Sequence, residues 1–474
     1  MGEVELCRKS AREMAAMIKS REISAVELLE AHFEQINRYN PSVNAFVTIV
    51  EDRARAAAKE ADAKTVSDVP LGILHGLPMA HKDTHRTKGI RTTFGSPLLV
   101  DNVPEADDLI IERLRLAGAI TIGKTNTPEF AAGSHTYNPV FGATHNPYDL
   151  ARSAGGSSGG AAVGVALGMH PLADGSDMGG SLRNPASFSG VVGMRPSFGR
   201  VPSFPSGVSD ERLSVPGPIA RTVDDVALML EAIAGEDARV RYSLSLPSDY
   251  FVDATALDNR RRRVAWSPDL GGLFPIDREV RNALARAPVV FEELGWEVTE
   301  ELPDLAGADE VFRTLRAHQF AEAFSSIVAT HSEMVKESIR WNVEIGLALT
   351  RAQIQRAKAE QRAIASRMRD YFSRVDLFAL TVSQVAPFPI ELEYPSVVDG
   401  REMGDYLEWM ASCYLISATR LPAIALPFGF TAAGLPIGLQ LVGPPDGDLA
   451  LLQASTQFER ATIASRRFPP LLGA

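Results

Sequence analysis

Two serines in glycine-rich surroundings are the residues of this sequence best suited to chemistry. Ser157 lies in the segment GGSSGG at 155–160, and Ser181 ends the segment DGSDMGGS at 174–181. Glycine at this density costs conformational entropy in regular structure, so it marks backbone that adopts positive φ or approaches another group closely. Val, Leu, Met and Phe residues join the two segments, which excludes a flexible linker. We therefore expect both serines to belong to one reactive centre.

A lysine that follows an apolar segment could activate these serines. The segment LHGLPMAHKD predicts a short buried strand, Leu77 to Ala80, that delivers Lys82 at its end. A serine hydroxyl is a weak nucleophile until a base takes its proton. Lysine can be that base if burial lowers its pKa towards neutrality. Ser157 could then pass its own proton to Lys82 while it takes one from Ser181.

Three further patterns match known motifs in form only. Residues 118–125 fit the phosphate-binding expression GxxxxGK[ST], but AITI fills the expected loop and Pro128 disrupts the helix that should follow. Residues 155–159 fit G-x-S-x-G, but a nucleophile elbow follows an apolar strand and the preceding NPYDLARSA is polar. His81 and His85 have the spacing of zinc ligands without a third ligand, so we expect no metal site.

The composition narrows the class of protein. The 474 residues carry a net charge of −11, whereas a nucleic-acid-binding protein needs a basic surface. Cys7 and Cys413 are too few for a disulfide framework or a thiolate metal site. The sequence has no apolar run of about 18 residues and no apolar core of a signal peptide. We therefore expect a cytoplasmic protein that binds neither nucleic acid nor membranes.

Alternating helix and strand patterns predict an α/β fold with one large mixed sheet and helices on both faces. Residues 1–70 are predicted to be helices that wrap the core or build an oligomer contact, such as that of a homodimer. Residues 71–474 would form the α/β core, with a helical variable region at about 300–415. Within these parts, apolar periodicity predicts one helix over 277–294 and another over 403–416.

Several sequence blocks together resemble the amidase signature family of serine hydrolases. They extend from about residue 72 to residue 443, which is most of the chain. The blocks are HGLPMAHKD, GAITIGKTNTPEF, NPYDLARSAGGSSGGAAVGVALG, DGSDMGGSLRNPASFSGVVGMRPS, SVPGPIART, LPAIALPFGF and GLPIGLQLVG. The resemblance implies the amidase-signature fold, in which helices flank a large mixed sheet.

The resemblance also implies roles for particular residues. Ser181 would be the nucleophile that becomes acylated, Lys82 the general base, and Ser157 a bridging serine at a cis peptide bond. Neighbouring residues would form an oxyanion hole and hold the serines in place. The oxyanion hole would consist of the backbone N–H groups of Met178, Gly179, Gly180 and Ser181, and the supporting residues would be Gly156, Ser158, Asp177 and Arg183.

The implied activity is hydrolysis of a small carboxamide to a carboxylic acid and ammonia or an amine, without a metal or organic cofactor. The region 300–415 would supply part of an apolar pocket. A second interpretation is the glutaminase subunit of a tRNA-dependent amidotransferase, which usually carries a segment like SSLDQIGP where this chain has SVPGPIART at 214–222. A third, from another class, is an ATP-binding protein that uses 118–125; the sequence favours the stand-alone amidase.

Overall fold

The computed structural model describes most of the chain. The described ranges are 3–67, 69–205, 213–247, 250–252, 254–256, 260–462 and 468–473. None of the helices within these ranges combines the length and the apolar character that crossing a membrane requires.

The strands of the described ranges form one sheet of eight strands, one of three and two small hairpins of two. The larger sheet is mixed, with parallel pairs at one end and antiparallel pairs through the rest. In chain order the strands are β1 (Phe46–Ile49), β2 (Pro78–Lys82), β3 (Ile120–Thr125), β4 (Tyr137–Asn138), β5 (Gly142–Ala143), β6 (Leu172–Asp177), β7 (Val192–Arg195), β8 (Val215–Ala220), β9 (Arg263–Trp266), β10 (Glu297–Thr299), β11 (Leu377–Thr381), β12 (Val397–Val398), β13 (Arg401–Glu402), β14 (Ala423–Phe430) and β15 (Pro436–Val442).

Helices cover the remaining layers. Beyond residue 300, the long helix Ala308–His331 packs against both Glu337–Ala348 and Arg351–Tyr371. In chain order the helices are α1 (Glu3–Arg8), α2 (Ala11–Lys19), α3 (Ala25–Val43), α4 (Glu51–Thr65), α5 (Leu109–Leu116), α6 (Gly159–Ala166), α7 (Arg183–Ser189), α8 (Val223–Ile233), α9 (Arg278–Leu284), α10 (Ala287–Glu293), α11 (Ala308–His331), α12 (Glu337–Ala348), α13 (Arg351–Tyr371), α14 (Ala411–Ala418) and α15 (Asp448–Ala461).

The two faces of the large sheet, which runs in the order β10-β9-β11-β15-β14-β7-β8-β6, pack against different helices. Successive side chains of a strand point to opposite faces. Ala173 and Ile219, which are paired across β6 and β8, lie in an apolar cluster with residues of α6 and α7. Their neighbours Leu172 and Ala220 lie in a second cluster with residues of α8 and α15. Helices therefore cover both faces of a mixed sheet, and the expected fold class is confirmed.

The small sheet positions Lys82. Its order is β1-β3-β2, with β2 parallel to β3 and β1 antiparallel to it, and every residue of β2 is buried. Lys82 is the last residue of β2 and pairs with Thr125. Strand β2 also contacts β6, the edge strand of the large sheet. Because Ser181 follows β6 by four residues, the contact between the two sheets brings the lysine near that serine.

Two predicted helices differ from the structure. The helix expected over 277–294 is divided into α9 and α10, because Pro288 in the first turn of α10 has no N–H to continue the ladder of hydrogen bonds. The helix expected over 403–416 begins only at Ala411. Before it, the Asp405 carboxylate accepts the N–H of Leu407 at 2.8 Å, and such local bonds compete with a helix.

Close backbone packing explains one of the glycines between Ser157 and Ser181. Gly160, in the first turn of α6, donates its N–H to Asn126 O at 3.3 Å. A Cβ at this position would lie 2.4 Å from Asn126 N and 2.5 Å from Ala45 O. Both are backbone atoms, so α6 approaches the small sheet at a distance that only glycine permits.

We expect Gly160→Ala to lower the free energy of unfolding by about 1–3 kcal/mol, because the added methyl group overpacks a site walled by backbone. Urea denaturation followed by circular dichroism measures this. The control is Gly404→Ala, whose Cβ would lie 3.6 Å from the side-chain oxygen of Glu408 and should leave stability unchanged. Equal stability of the two variants would contradict the packing argument.

Candidate active site

The Lys82 amine lies within a group of hydroxyls. Its Nζ is 2.7 Å from Ser157 Oγ, 3.0 Å from Ser158 Oγ and 3.2 Å from Ser176 Oγ. The side chain is fully buried, and no carboxylate of the described residues makes an ion pair with it. A lysine is seldom buried without a charged partner. Hydroxyls take the place of that partner here, and the structure brings Lys82 and Ser157 together.

The surroundings of Lys82 favour its neutral form. Burial lowers the pKa of Lys82 to about 7, because the ammonium loses its hydration. The negative charges of Asp177 and Asp174 act in the opposite direction and hold the pKa from falling further. A neutral amine has a lone pair that can take the proton of a hydroxyl, so near neutral pH this lysine can act as a base.

The turn that carries Ser157 is closely packed. The Gly156–Ser157 peptide bond is cis, as the family resemblance implies. A Cβ on Gly156 would lie 3.0 Å from Thr136 Oγ1 and 3.1 Å from His135 N. The Ser134 hydroxyl donates to Gly156 O at 2.8 Å, which fixes the carbonyl before the serine.

Ser181 lies between β6 and α7, on the wall of the same cavity as Ser157. The N–H of Ser158 donates to Ser181 O at 3.2 Å, so the two serine-bearing segments are bonded through their backbones. Ser158 thus contacts both Lys82 and the Ser181 segment. The structure brings all three predicted reactive residues to one place.

The loop before Ser181 is organised by the Asp177 carboxylate. Its Oδ1 accepts the N–H of Gly180 at 2.9 Å, and its Oδ2 accepts that of Leu182 at 3.1 Å. Gly180 has a φ of +116°, which only glycine adopts readily. Since the Gly180 N–H is already bonded, the predicted oxyanion hole needs a correction. The candidates become the N–H groups of Met178, Gly179 and Ser181.

Two buried arginines neutralise Asp177. Arg183 donates from Nη2 to Oδ1 at 2.8 Å and from Nε to Oδ2 at 3.0 Å. Arg195 lies 3.3 Å from Oδ1 and also donates to the Asp177 carbonyl. These cations hold the pKa of Asp177 far below its usual range despite burial. The predicted Asp177–Arg183 pair is therefore present, with Arg195 as an additional member.

Sequence reasoning missed Ser176 and Asp174. Alternation along β6 puts both side chains on one face, towards β2, and that period-2 pattern is the signal that could have found them. Ser176 contacts the Lys82 amine and lines the cavity. The Asp174 carboxylate accepts the Lys82 backbone N–H at 3.2 Å, and so fixes the end of β2.

The Asp174 carboxylate also bonds to the two histidines near Lys82. Its Oδ1 is 2.7 Å from His81 Nδ1, and its Oδ2 is 2.5 Å from His85 Nδ1. The other ring nitrogen of His81 contacts Thr121 Oγ1 at 3.0 Å. These histidines orient the carboxylate. Among the described residues, no three His, Cys, Asp or Glu side chains are arranged to hold a metal ion.

Residues 118–125 do not form a phosphate loop. Gly118 follows α5, and residues 120–125 are the buried strand β3. The Lys124 amine is buried and donates to His85 O at 2.5 Å and to Thr87 Oγ1 at 2.8 Å. A lysine bonded within the protein cannot reach a nucleotide phosphate, so ATP binding here is not supported.

A cavity of about 380 Å³ opens onto Ser157, Ser176 and Ser181. Much of its lining comes from α11, which contributes three phenylalanines as well as Arg316 and Glu322. Some of the aromatic residues in the region 300–415 reach this cavity and others do not. Phe312, Phe320 and Phe324 line the cavity, whereas Trp341 packs on Tyr406 and Trp409 packs on Phe188 and Phe388.

Known proteins share both the sequence and this fold. Residues 27–452 match the protein family described as Amidase. An acylamidase of Rhodococcus erythropolis is 35% identical over 464 residues, which cover 97% of this chain and 96% of that protein. A glutamyl-tRNA(Gln) amidotransferase subunit of Geobacillus kaustophilus is 34% identical over 98% of this chain and 99% of its own. The crystal structure of a bacterial aryl acylamidase of the amidase signature family matches with a TM-score of 0.91 and 28% identity, over 98% of this chain and 99% of that one.

We expect Asp177→Asn to lower the free energy of unfolding by about 3–5 kcal/mol, because the substitution leaves two buried arginines without a full counter-charge. Thermal and urea denaturation measure the loss. The control is Glu60→Gln, which removes an exposed i, i+4 pair with Lys64 and should not change the midpoint measurably. An Asp177→Asn variant as stable as Glu60→Gln would disprove the role of Asp177.

Proposed function

Because this chain belongs to the amidase signature family and is an amide-hydrolysing enzyme, we propose that it cleaves its substrate through an acyl-enzyme on Ser181. In this proposal Lys82 is the general base and Ser157 carries protons between the two. One observation supports it above the others: a buried amine with a pKa of about 7 lies 2.7 Å from Ser157 Oγ, in a cavity that Ser181 also lines.

Acylation begins with a proton transfer in two steps. Ser181 gives its hydroxyl proton to Ser157 as Ser157 gives its own to neutral Lys82. Ser181 Oγ attacks the amide carbonyl carbon, and the carbonyl oxygen becomes an oxyanion. The N–H groups of Met178, Gly179 and Ser181 are the donors proposed to stabilise that charge.

Collapse of the intermediate breaks the C–N bond. The proton on Lys82 returns through Ser157 to the amide nitrogen, which leaves as ammonia or an amine, and the acyl group stays on Ser181 as an ester. Water then attacks the ester carbon, and its proton moves along the same path to Lys82. Return of that proton to Ser181 frees the carboxylic acid and restores the enzyme.

The hydroxyls around Lys82 support both of its protonation states. A hydroxyl can donate to the neutral amine or accept from the ammonium. Ser158 and Ser176 remain 3.0 Å and 3.2 Å from Nζ and would stabilise the ammonium that acylation forms. The nearby charges of Asp174 and Asp177 favour that form too.

The substrate is proposed to be a small acyl or aryl acyl amide. The cavity of about 380 Å³ has room for such a molecule, and the phenylalanines of α11 offer apolar contacts. Relatives named acylamidase and aryl acylamidase support the same class. We further propose a cytoplasmic location, in line with two cysteines that are not joined by a disulfide. The homodimer stays a prediction, which sedimentation analysis would test.

The glutaminase subunit of an amidotransferase is the second candidate, because relatives named as amidotransferase subunits are as similar as the acylamidase. Such a protein would depend on partner chains. Hydrolysis of simple anilides by the purified chain alone would favour the stand-alone enzyme. Activity on glutamine that appears only with partner chains would favour the other candidate.

We expect a fluorophosphonate probe to label Ser181 and no other serine, because only Ser181 faces both the base and the oxyanion donors in this proposal. Mass spectrometry of the digested protein locates the adduct. Labelling should fall by at least about 100-fold in Lys82→Ala, from the loss of the base. An adduct on Ser157 with Ser181 unmodified would reverse the assignment.

We expect kcat/KM to rise with pH through about 7. Only neutral Lys82 can accept a proton, and with a pKa of about 7 its neutral share grows from about one tenth at pH 6 to about nine tenths at pH 8. The rate should therefore increase about tenfold over this interval and then level off. A flat or falling profile in a protein whose circular dichroism stays constant would count against an amine base.

A further inference from the structure

The substrate cavity contains a buried cation without a matching anion. Among its lining residues, only Arg316 and Glu322 are charged, and both lie on α11. Glu322 is partly exposed and lies 3.6 Å from His318. Arg316 is only 6% exposed. An isolated charge costs much free energy to bury, so a cation in this position calls for an explanation.

The contacts of Arg316 do not neutralise it. Nη2 donates to the Tyr406 hydroxyl at 2.8 Å, and Nη1 lies 2.9 Å from the thioether sulfur of Met178. The guanidinium stacks 4.3 Å from the centre of the Phe320 ring. Within the described residues, Nε has no hydrogen-bond acceptor and no carboxylate lies within ion-pair distance. Each of these partners is neutral.

A neighbouring arginine on the same helix shows the contrast. Arg313 lies three residues before Arg316 and pairs with Asp309 at 2.9 Å and with Asp405 at 2.5 Å. It lines a separate cavity, together with Tyr414. Asp309 and Asp405 therefore neutralise Arg313, whereas Arg316 lines the substrate cavity without such a pair among the described residues.

Hydrogen-bond donors also exceed acceptors around Arg316. The Tyr406 oxygen accepts from Arg316 and, at 2.6 Å, from Asn342 Nδ2. Two donors thus converge on one neutral oxygen, while the Arg316 Nε–H is still without an acceptor among the described residues. A ligand with negatively charged oxygens would neutralise the guanidinium and give its terminal N–H groups further acceptors, and a guanidinium binds a carboxylate through two parallel bonds.

We propose that Arg316 determines substrate specificity by binding a carboxylate carried by the amide substrate, at a distance from the bond that is cleaved. This inference rests on the proposed function of the same cavity and names the substrate class more narrowly. The apolar wall of Phe312, Phe320 and Phe324 would contact the hydrocarbon between the amide and the carboxylate. Arg316 contacts the substrate in this proposal but takes no part in proton transfer.

Paired substrates test the proposal. Succinyl, glutaryl and adipyl mono-para-nitroanilides carry a terminal carboxylate, and butyryl, pentanoyl and hexanoyl para-nitroanilides carry a methyl group in its place. A second series puts the carboxylate on the leaving group, as N-acyl para-aminobenzoates against N-acyl para-toluidines. We expect wild-type kcat/KM to favour the carboxylate member of at least one pair by about 10–100-fold, the range for a hydrogen bond to a charged group.

Variants assign this preference to one side chain. Arg316→Gln should abolish it, mainly through a higher KM, while kcat/KM for the methyl member changes by less than about threefold. Arg316→Lys should restore part of the preference, because the charge remains and the two-pronged geometry is lost. The matched control Arg313→Gln removes an arginine from the same helix and should leave the preference intact.

Binding without turnover gives a second readout. Calorimetry would compare the inactive variant Ser181→Ala with the double variant Ser181→Ala/Arg316→Gln. The ligand is adipyl mono-para-nitroanilide, or whichever carboxylate substrate the wild type prefers. We expect the single variant to bind it about 10–100-fold more tightly than the double variant. Equal affinity would overturn the proposal, as would a wild-type enzyme without preference in either series. An Arg316→Gln variant that loses activity equally on both members of a pair would reassign Arg316 to a structural role. Failure of the wild type to cleave any of these amides would instead count against the proposed function.

Discussion

Removal of water from the Lys82 amine is the constraint on which the site depends. In water this group stays charged and cannot accept a proton, whereas burial at the end of β2 lowers its pKa to about 7. Desolvation alone would carry the pKa lower, and the ammonium formed during catalysis would then be too unstable. The negative charges of Asp174 and Asp177 raise the pKa again, although neither carboxylate is hydrogen-bonded to Nζ. The amine is thus poised between both forms because burial and charge act in opposite directions.

The rest of the fold supplies the dry and rigid surroundings that this balance requires. The small sheet delivers Lys82 against β6, and Asp174 of β6 fixes the last N–H of β2. The loop with Ser181 has little regular structure. The buried Asp177 carboxylate accepts two of its backbone N–H groups, which regular structure would otherwise bond. Arg183 and Arg195 then neutralise that carboxylate. The buried charges of Asp174, Asp177 and Arg195 therefore also hold backbone groups in place.

Much of this arrangement is predictable from local sequence, and the rest depends on distant contacts. Lys82 after an apolar strand and two serines among glycines are local signals, and the structure brings them together. The paired roles of Asp174 are not local, since His81 and His85 lie about 90 residues earlier. The family resemblance implies Gly180 as an oxyanion donor, yet its N–H donates to Asp177. Arg316 fits the polar pattern of an ordinary helix, and only packing against Met178 and Tyr406 reveals it as buried.

A comparison of two lysines in the small sheet explains why hydroxyls surround the proposed base. Lys124 of β3 is also buried, and desolvation lowers its pKa to about 8. It donates, however, to the carbonyl oxygen of His85, which can only accept, so loss of a proton from its amine would weaken that bond. Ser157, Ser158 and Ser176 can each turn from acceptor to donor when Lys82 loses its charge. Similar burial thus leaves one amine bonded to a carbonyl that favours its charged form and gives the other amine partners that suit both forms, and the difference comes from the chemistry of the partner atoms.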